Sequence, residues 1–246
     1  LAGIIIVLLF SILLCGTFVY QQTEESLRIR TERSLYFRET ILNLTRSDKI
    51  NLDHGIKQIT ERVAKTLDVE RTAIWLYDED KSEFLCNDLY CRSEDKHKTG
   101  LSLKQEDYPD YFQKLESTGS IISDDVRTDI SADELVETYF IPEHITSMMG
   151  TPVFRNGKIA GMLSIEEINR IHRWTVEEQE FAVSLADMIS LLLESEERHR
   201  AEEAEKERSR ELEKRSRELE TLLDSLPGFA FLKDSNLAYI TANKIF

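Results

Sequence analysis

The sequence predicts an α+β fold in which helices pack on the faces of an antiparallel sheet. Three observations carry this. Two apolar runs, Met148–Phe154 and Ile159–Glu166, flank the tetrad Arg155-Asn156-Gly157-Lys158. Asn-Gly between such runs is the strongest short-range hairpin signal, because both central residues of a type I′ turn need positive φ. The stretch Arg71–Asp78 alternates, with Ile74 and Leu76 to one side and Trp75 and Tyr77 to the other, as a half-buried strand does. The order that follows (helix, hairpin, helix, strand, helix, hairpin, long helix) lacks the βαβ rhythm of a parallel sheet.

Along the chain, Leu1–Tyr20 carries no charge, and twenty helical residues reach roughly 30 Å, a bilayer core. A transmembrane helix is expected there. Arg28, Arg30, Arg33 and Arg38 follow it, so the positive-inside bias puts the remainder in the cytoplasm. Residues 21–48 read as a helical linker, with Leu27, Leu35, Ile41 and Leu44 as its apolar positions. Ile56, Ile59, Val63 and Leu67 continue the helical spacing in one or two pieces. After the strand Arg71–Asp78, the segment Asp78–Ser82 turns into a partner strand, Glu83–Cys91, and Arg92–Gly100 reads as a polar loop. Short helices are expected at Tyr108–Leu115, with Pro109 in the first turn, and at Ala132–Tyr139, with a brief strand Ile121–Asp124 between them.

Thr175-Val-Glu-Glu178 is a capping box opening a long helix, and Phe181, Leu185, Met188, Ile189 and Leu192 form its apolar stripe. Residues 195–220 then become a charged helix, with i,i+4 pairs available at Glu194–Arg198, Glu196–Arg200, Glu202–Lys206 and Glu211–Arg215. Arg208–Glu213 repeats seven residues on as Arg215–Glu220. Leu212, Leu219 and Leu226 fall on one seam of a coiled coil whose other seam is Ser209, Ser216 and Leu223. A solvated single helix is the alternative reading.

The net charge of −15 disfavours nucleic acid as a partner. Cys15, Cys86 and Cys91 make no disulfide framework. Cys86, Cys91 and His97 match no standard zinc spacing, and the odd separation of the two cysteines sends them to opposite faces of a regular strand. Metal binding is therefore not expected. His199 is a solvated helix-face histidine; no Glu-x-x-(Ser/Thr)-Pro-Leu run follows it, and no nucleotide-binding loop or cyclase element exists, so no catalytic residue is assigned. Asp124/Asp125 and Glu166/Glu167 read as surface or loop acids, each pair split between the faces of a strand.

Several pieces resemble a GAF domain of bacterial sensor proteins: Cys86-Asn-Asp-Leu-Tyr90, His97 with Gly100, Tyr108-Pro-Asp-Tyr-Phe112, Asp124-Asp-Val-Arg-Thr128, Ile145-Thr-Ser-Met148, Gly161–Glu166 and Arg173–Phe181. They cover residues 49–194 in the expected order. The tail 221–246, with Leu222–Asp234 and Tyr239–Asn243, resembles the opening of a truncated PAS domain.

The resemblance implies a GAF-type sheet with a pocket between one sheet face and the segment Arg92–Thr146. Tyr90, His97, Tyr111, Phe112, Asp124, Ser147 and Met149 are its candidate lining. The same side chains could instead fill the core. GAF domains bind cyclic nucleotides, haem, tetrapyrroles, small metabolites or nothing known, so the cofactor is left open. This sequence lacks the Asn-Lys-x-Phe-x-x-x-Asp-Glu arrangement of cyclic-nucleotide binders and the Cys-His pair of bilin attachment, so no covalent bilin is expected.

These expectations add up to part of a longer inner-membrane signalling protein, a parallel homodimer resembling the sensory half of a two-component sensor histidine kinase. A GAF domain would bind a small ligand and signal through helices. The alternatives are a diguanylate cyclase sensor and a non-binding dimerisation adaptor.

Overall fold

The computed structural model describes residues 2–45, 52–128, 133–228 and 231–243, the backbone alone for residues 2–16, 26, 44, 45, 118 and 133. By its contacts the chain divides into two units, Leu1–Glu194 and Ser195–Phe246.

The first unit is built on a seven-stranded antiparallel sheet. Its strands are β1 (Arg71–Tyr77), β2 (Glu83–Cys91), β3 (Lys96–Lys98), β4 (Ser102–Lys104), β5 (Ile121–Ser123), β6 (Ile145–Arg155) and β7 (Lys158–Ile168). They lie in the order β3-β2-β1-β7-β6-β5, with β4 also paired to β2. The β6–β7 hairpin closes on Asn156 and Gly157 at φ 53° and 73°, the positive values that the turn demanded. Each strand outgrew its apolar run by a few residues. Inside the expected polar loop Arg92–Gly100, Lys96-His97-Lys98 forms an edge strand instead, because an edge strand exposes both faces and carries no apolar alternation.

Two layers cover the sheet. On one face lie the C-terminal part of α1 (Ala2–Thr45), α2 (Leu52–Leu67) and the first turns of α5 (Val176–Asp224). Ile56, Ile59, Val63 and Leu67 of α2, with Phe181, Leu185, Ile189 and Leu193 of α5, bury against Ile74, Leu163 and Ile165 of the sheet. From α1, Phe37 joins this core by stacking on Phe181 at 4.4 Å, whereas Leu27 and Leu35 are exposed. Arg30 and Arg33 reach Glu177 and Glu178 in the first turn of α5, at 3.4 and 3.8 Å. The other face is roofed by α3 (Pro109–Thr118), a three-residue helix α4 (Asp133–Leu135) and a π-helical turn, Val136–Phe140. The expected second helix is thus present over Asp133–Phe140, but its second half is a π-helical turn, wider than a regular α-helix.

The expected alternation of β1 holds, but that of β2 does not. The β1–β2 register shifts between Ile74 and Trp75, leaving Asn87 as an extra residue. Cys86, Leu89 and Cys91 consequently all face the roof, and Asp88 and Tyr90 the helices. The two cysteines therefore share a face, against the expectation from their odd spacing, and both are free thiols. Gly161 of β7 lies so close to β1 that a Cβ there would sit 2.1 Å from the Trp75 carbonyl oxygen, so a side chain is sterically excluded.

In the second unit the residues of α5 are solvated. Glu196–Arg200 and Glu211–Arg215 pair at 3.0 and 2.7 Å, as their spacing anticipates. Leu212 and Leu219 are exposed, and Leu226 lies beyond the end of α5 at Asp224, so the helix does not carry it on the expected seam. A two-stranded ribbon, β8 (Phe231–Lys233) with β9 (Tyr239–Ala242), follows. Among the described residues no helix is long and apolar enough to cross a membrane. The span expected at Leu1–Tyr20 falls largely on residues 1–16, whose side chains are outside the described set.

Candidate functional site

On the roof-side face, β1 contributes Arg71, Ala73, Trp75 and Tyr77, every second residue of a strand. From β7 come Met162, Ser164 and Glu166, and from α3 Tyr111, Phe112 and Leu115. Aromatic rings pack the space between sheet and roof. Phe84 lies 4.3 Å from Tyr77 and 4.7 Å from Phe112, and Tyr111 meets Phe112 edge-on at 5.8 Å. The Tyr111 hydroxyl donates to Met162 Sδ at 3.1 Å. Burial pushes the Tyr77 hydroxyl and the Cys86 thiol each up to about 12, so both stay protonated at neutral pH and Cys86 is no nucleophile.

At one end of this apolar interior sits a charged cluster. Arg71 and Glu166 are directly opposite across β1 and β7, and both are buried. Arg71 Nε lies 3.2 Å from Glu166 Oε2; its Nη1 donates to Glu143 at 2.7 Å and its Nη2 to the Tyr139 hydroxyl at 3.0 Å. The Ser164 hydroxyl holds Glu166 Oε1 at 2.6 Å, and the Tyr139 hydroxyl reaches the same oxygen at 3.4 Å. Burial by itself would lower the Arg71 pKa, but Glu166, Tyr139 and Glu143 outweigh it and raise it, so the guanidinium is permanently charged. Burial likewise holds the Tyr139 hydroxyl protonated. Tyr139 belongs to the π-helical turn and Glu143 to the turn after it, where the Glu143 amide caps the Tyr139 carbonyl at 3.1 Å. The cluster offers a fixed cation, donor hydroxyls and an aromatic wall, the groups that bind a ligand without reacting with it.

The seven residues anticipated from sequence are not gathered in one place. Tyr111 and Phe112 lie in this interior; Tyr90 and Met149 are buried on the helix-covered face. His97, on the edge strand, places Nδ1 2.9 Å from the fully buried Asp88, which also accepts from the Thr60 hydroxyl of α2. Tyr90 donates to Asp95 at 2.6 Å and lies under the Lys65 ammonium of α2. Asp124 and Ser147 organise the start of α5. The Ser147 hydroxyl donates to the Asp124 carbonyl at 2.6 Å and accepts from the His172 amide at 2.8 Å, while the Asp124 carboxylate accepts from the Trp174 amide at 3.0 Å. The capping box closes beside them: Thr175 N donates to Glu178 Oε2 at 2.9 Å and Glu178 N to Thr175 Oγ1 at 3.3 Å.

Arg71, Tyr139, Glu143 and Glu166 were not anticipated as a group. Glu166 and Glu167 do split between the faces, yet both are buried and not surface acids. The available signal was Arg71 standing two before Ala73 and four before Trp75 on the apolar face of β1. Among the described residues no group of His, Cys, Asp and Glu could hold a metal ion.

The family model of the GAF domain matches residues 51–193, more than half of the chain. The chain belongs to the GAF domain family. This is a family of sensory and regulatory domains, to which the sheet and its two layers conform. Among solved structures, the GAF domain of a phosphoenolpyruvate-protein phosphotransferase from Coxiella burnetii aligns at TM-score 0.52 and 19% identity, over 71% of this chain and 98% of that one. The phycocyanobilin-bound GAF domain of a cyanobacterial phytochrome aligns at 0.54 and 16%, over 66% and 94%. The GAF domain of the Acinetobacter phosphotransferase gives 0.50 and 16%, over 65% and 92%. At these identities the likeness is one of fold. Curated proteins give no match.

Proposed function

We propose that this chain is the sensory half of an inner-membrane signalling protein, a sensor histidine kinase of the two-component type, working as a parallel homodimer. In this reading the GAF domain takes up a small ligand and passes its response to the output along α5. One observation carries the reading: α5 is a single helix, Val176–Asp224, that begins as part of the domain core and continues as a solvated, heptad-marked rod. A helix that is both core and connector must respond when the core repacks.

Three further features support it. The entering helix α1 stacks Phe37 on Phe181 and pairs Arg30 and Arg33 with the first turn of α5, so both helices share one contact. The uncharged stretch 1–20 followed by arginines supports anchoring with the domain on the cytoplasmic side. Exposed Leu212 and Leu219 at heptad spacing support pairing with a second copy, and Ser209 and Ser216 on the other seam keep that pairing adjustable. The ribbon after α5 supports a PAS-like module next in line.

The test uses the 246-residue chain in detergent micelles, with Cys15→Ser and a spin label on Ser216→Cys. A panel of metabolites is screened by thermal shift, and each hit is examined for a change in the label–label distance across the dimer. At least one compound is expected to raise Tm and move the labels. A stabilising compound that leaves the distance unchanged, or a panel with no hit, removes ligand signalling through α5.

A further inference from the structure

The carboxylates around Arg71 differ in what it costs to move them. Glu166 is 2% exposed and tied to Ser164, so it cannot leave without stranding a charge in the interior. The side chain of Glu143 is 51% exposed and reaches Arg71 Nη1 from the turn that follows the π-helical segment. An exposed carboxylate is already largely hydrated, so swinging it fully into water gives up little. Glu143 thus occupies a seat on a buried cation without being built into the interior, and π-helical turns concentrate at functional sites.

We propose that the seat of Glu143 on Arg71 is the binding position of a small organic monocarboxylate, which displaces Glu143 and takes its contact with the guanidinium. The proposal rests on the reading of this domain as a ligand-binding module and names the ligand class. The charge selects the occupant. With Glu166 fixed in place, exchanging one carboxylate for another leaves the balance unchanged, whereas a phosphate dianion adds a negative charge beside Glu166. A neutral molecule leaves Nη1 without its anion. The ligand carboxylate takes the single Nη1 contact that Glu143 makes, because Nε faces Glu166 and Nη2 donates to the Tyr139 hydroxyl. The Tyr139 ring, 5.8 Å from the Arg71 guanidinium and edge-on to Trp75, gives the body of the ligand an apolar neighbour.

The terminal atoms of Glu143 are those of propionate, which makes propionate the natural probe. The 246-residue chain, its Glu143→Ala variant and its Glu143→Gln variant are titrated calorimetrically with propionate, with the neutral isostere propionamide and with inorganic phosphate. Emptying the seat is expected to tighten propionate at least tenfold in Glu143→Ala, with a smaller gain in Glu143→Gln and none for propionamide. Phosphate is expected to bind more weakly than propionate to every form.

Equal propionate affinity across the three proteins, or an equal gain for propionamide, overturns the proposal. A thermal-shift panel of neutral and cationic metabolites separates it from the broader reading. A neutral compound that stabilises wild type and Glu143→Ala alike overturns the Arg71 seat and leaves ligand sensing standing. Propionate rescue of Glu143→Ala with no natural compound active on wild type supports the seat and removes ligand sensing.

Discussion

The buried Arg71–Glu166 pair makes a quantitative prediction through the variants Glu166→Gln, Arg71→Met and the two combined. At the 3.2 Å Nε–Oε2 separation the direct attraction is about 5 kcal/mol for an effective dielectric near 20. Glutamine keeps an oxygen for Ser164 and Tyr139, so Glu166→Gln removes charge and little else. Arg71 keeps half-exposed Glu143 at 2.7 Å, which returns about 1 kcal/mol. The amide also costs less to bury than the carboxylate, which returns about another 1 kcal/mol, so the expected loss is about 3 kcal/mol, at the lower end for breaking a buried pair. Arg71→Met leaves Glu166 charged at 2% exposure and costs a similar ~3 kcal/mol.

The double variant leaves neither group stranded and should lose no more than either single one, a coupling energy of about 3 kcal/mol. Urea unfolding at pH 7 measures this, followed by tryptophan fluorescence. The chain has two tryptophans, Trp75 and Trp174, both buried in the first unit, so the signal reports that unit. Losses that add to within about 0.5 kcal/mol would show that the two side chains do not depend on each other.

Two further outcomes are expected. Gly161→Ala forces a methyl against the Trp75 carbonyl and should destabilise the domain by about 1–3 kcal/mol in the same assay, whereas Gly157→Asn, at a turn with open space, should cost less. Glu178→Gln should cost about 1 kcal/mol at pH 7. Burial opposes ionisation of Glu178, but hydrogen bonds from His172 and the Thr175 amide outweigh it and hold the folded pKa below the ordinary 4.5. A depressed folded value means that the contribution is complete above 4.5 and disappears as pH falls through the folded pKa. Wild type and variant should therefore converge in acid; a gap persisting there would assign the loss to packing.

The parts of the fold that were legible in the sequence are those set by neighbours along the chain. Asn156-Gly157 dictates a turn, Thr175 and Glu178 dictate a helix start, and the alternation in β1 sorts its side chains between two faces. Phe181, Leu185 and Ile189 mark the buried stripe of α5 by spacing alone. What stayed hidden depends on pairing across the sheet. Arg71 meets Glu166 because β1 and β7 are in register over ninety-five positions of chain, and nothing near either residue encodes that. The edge strand Lys96–Lys98 is set by Leu89, Tyr90 and Cys91 opposite it, not by its own polar residues. The candidate lining was scattered for the same reason: Tyr90, His97, Ser147 and Met149 belong to the right strands but to the helix-covered face or the rim. A face can be assigned only once every extra residue in a strand is known.

Asn87 is such a residue, and it makes β2 intolerant of a one-residue change in length. Deleting it would restore strict alternation and turn one half of the strand over. Either Phe84 and Cys86 would exchange the apolar roof for the helices, or Asp88 would swing from Thr60 and His97 into the aromatic interior. Neither exchange preserves both layers, so the strand between the turn at Asp78–Ser82 and Cys91 has a fixed length. The nearby turns, which bury nothing on either face, are where this domain can gain or lose residues.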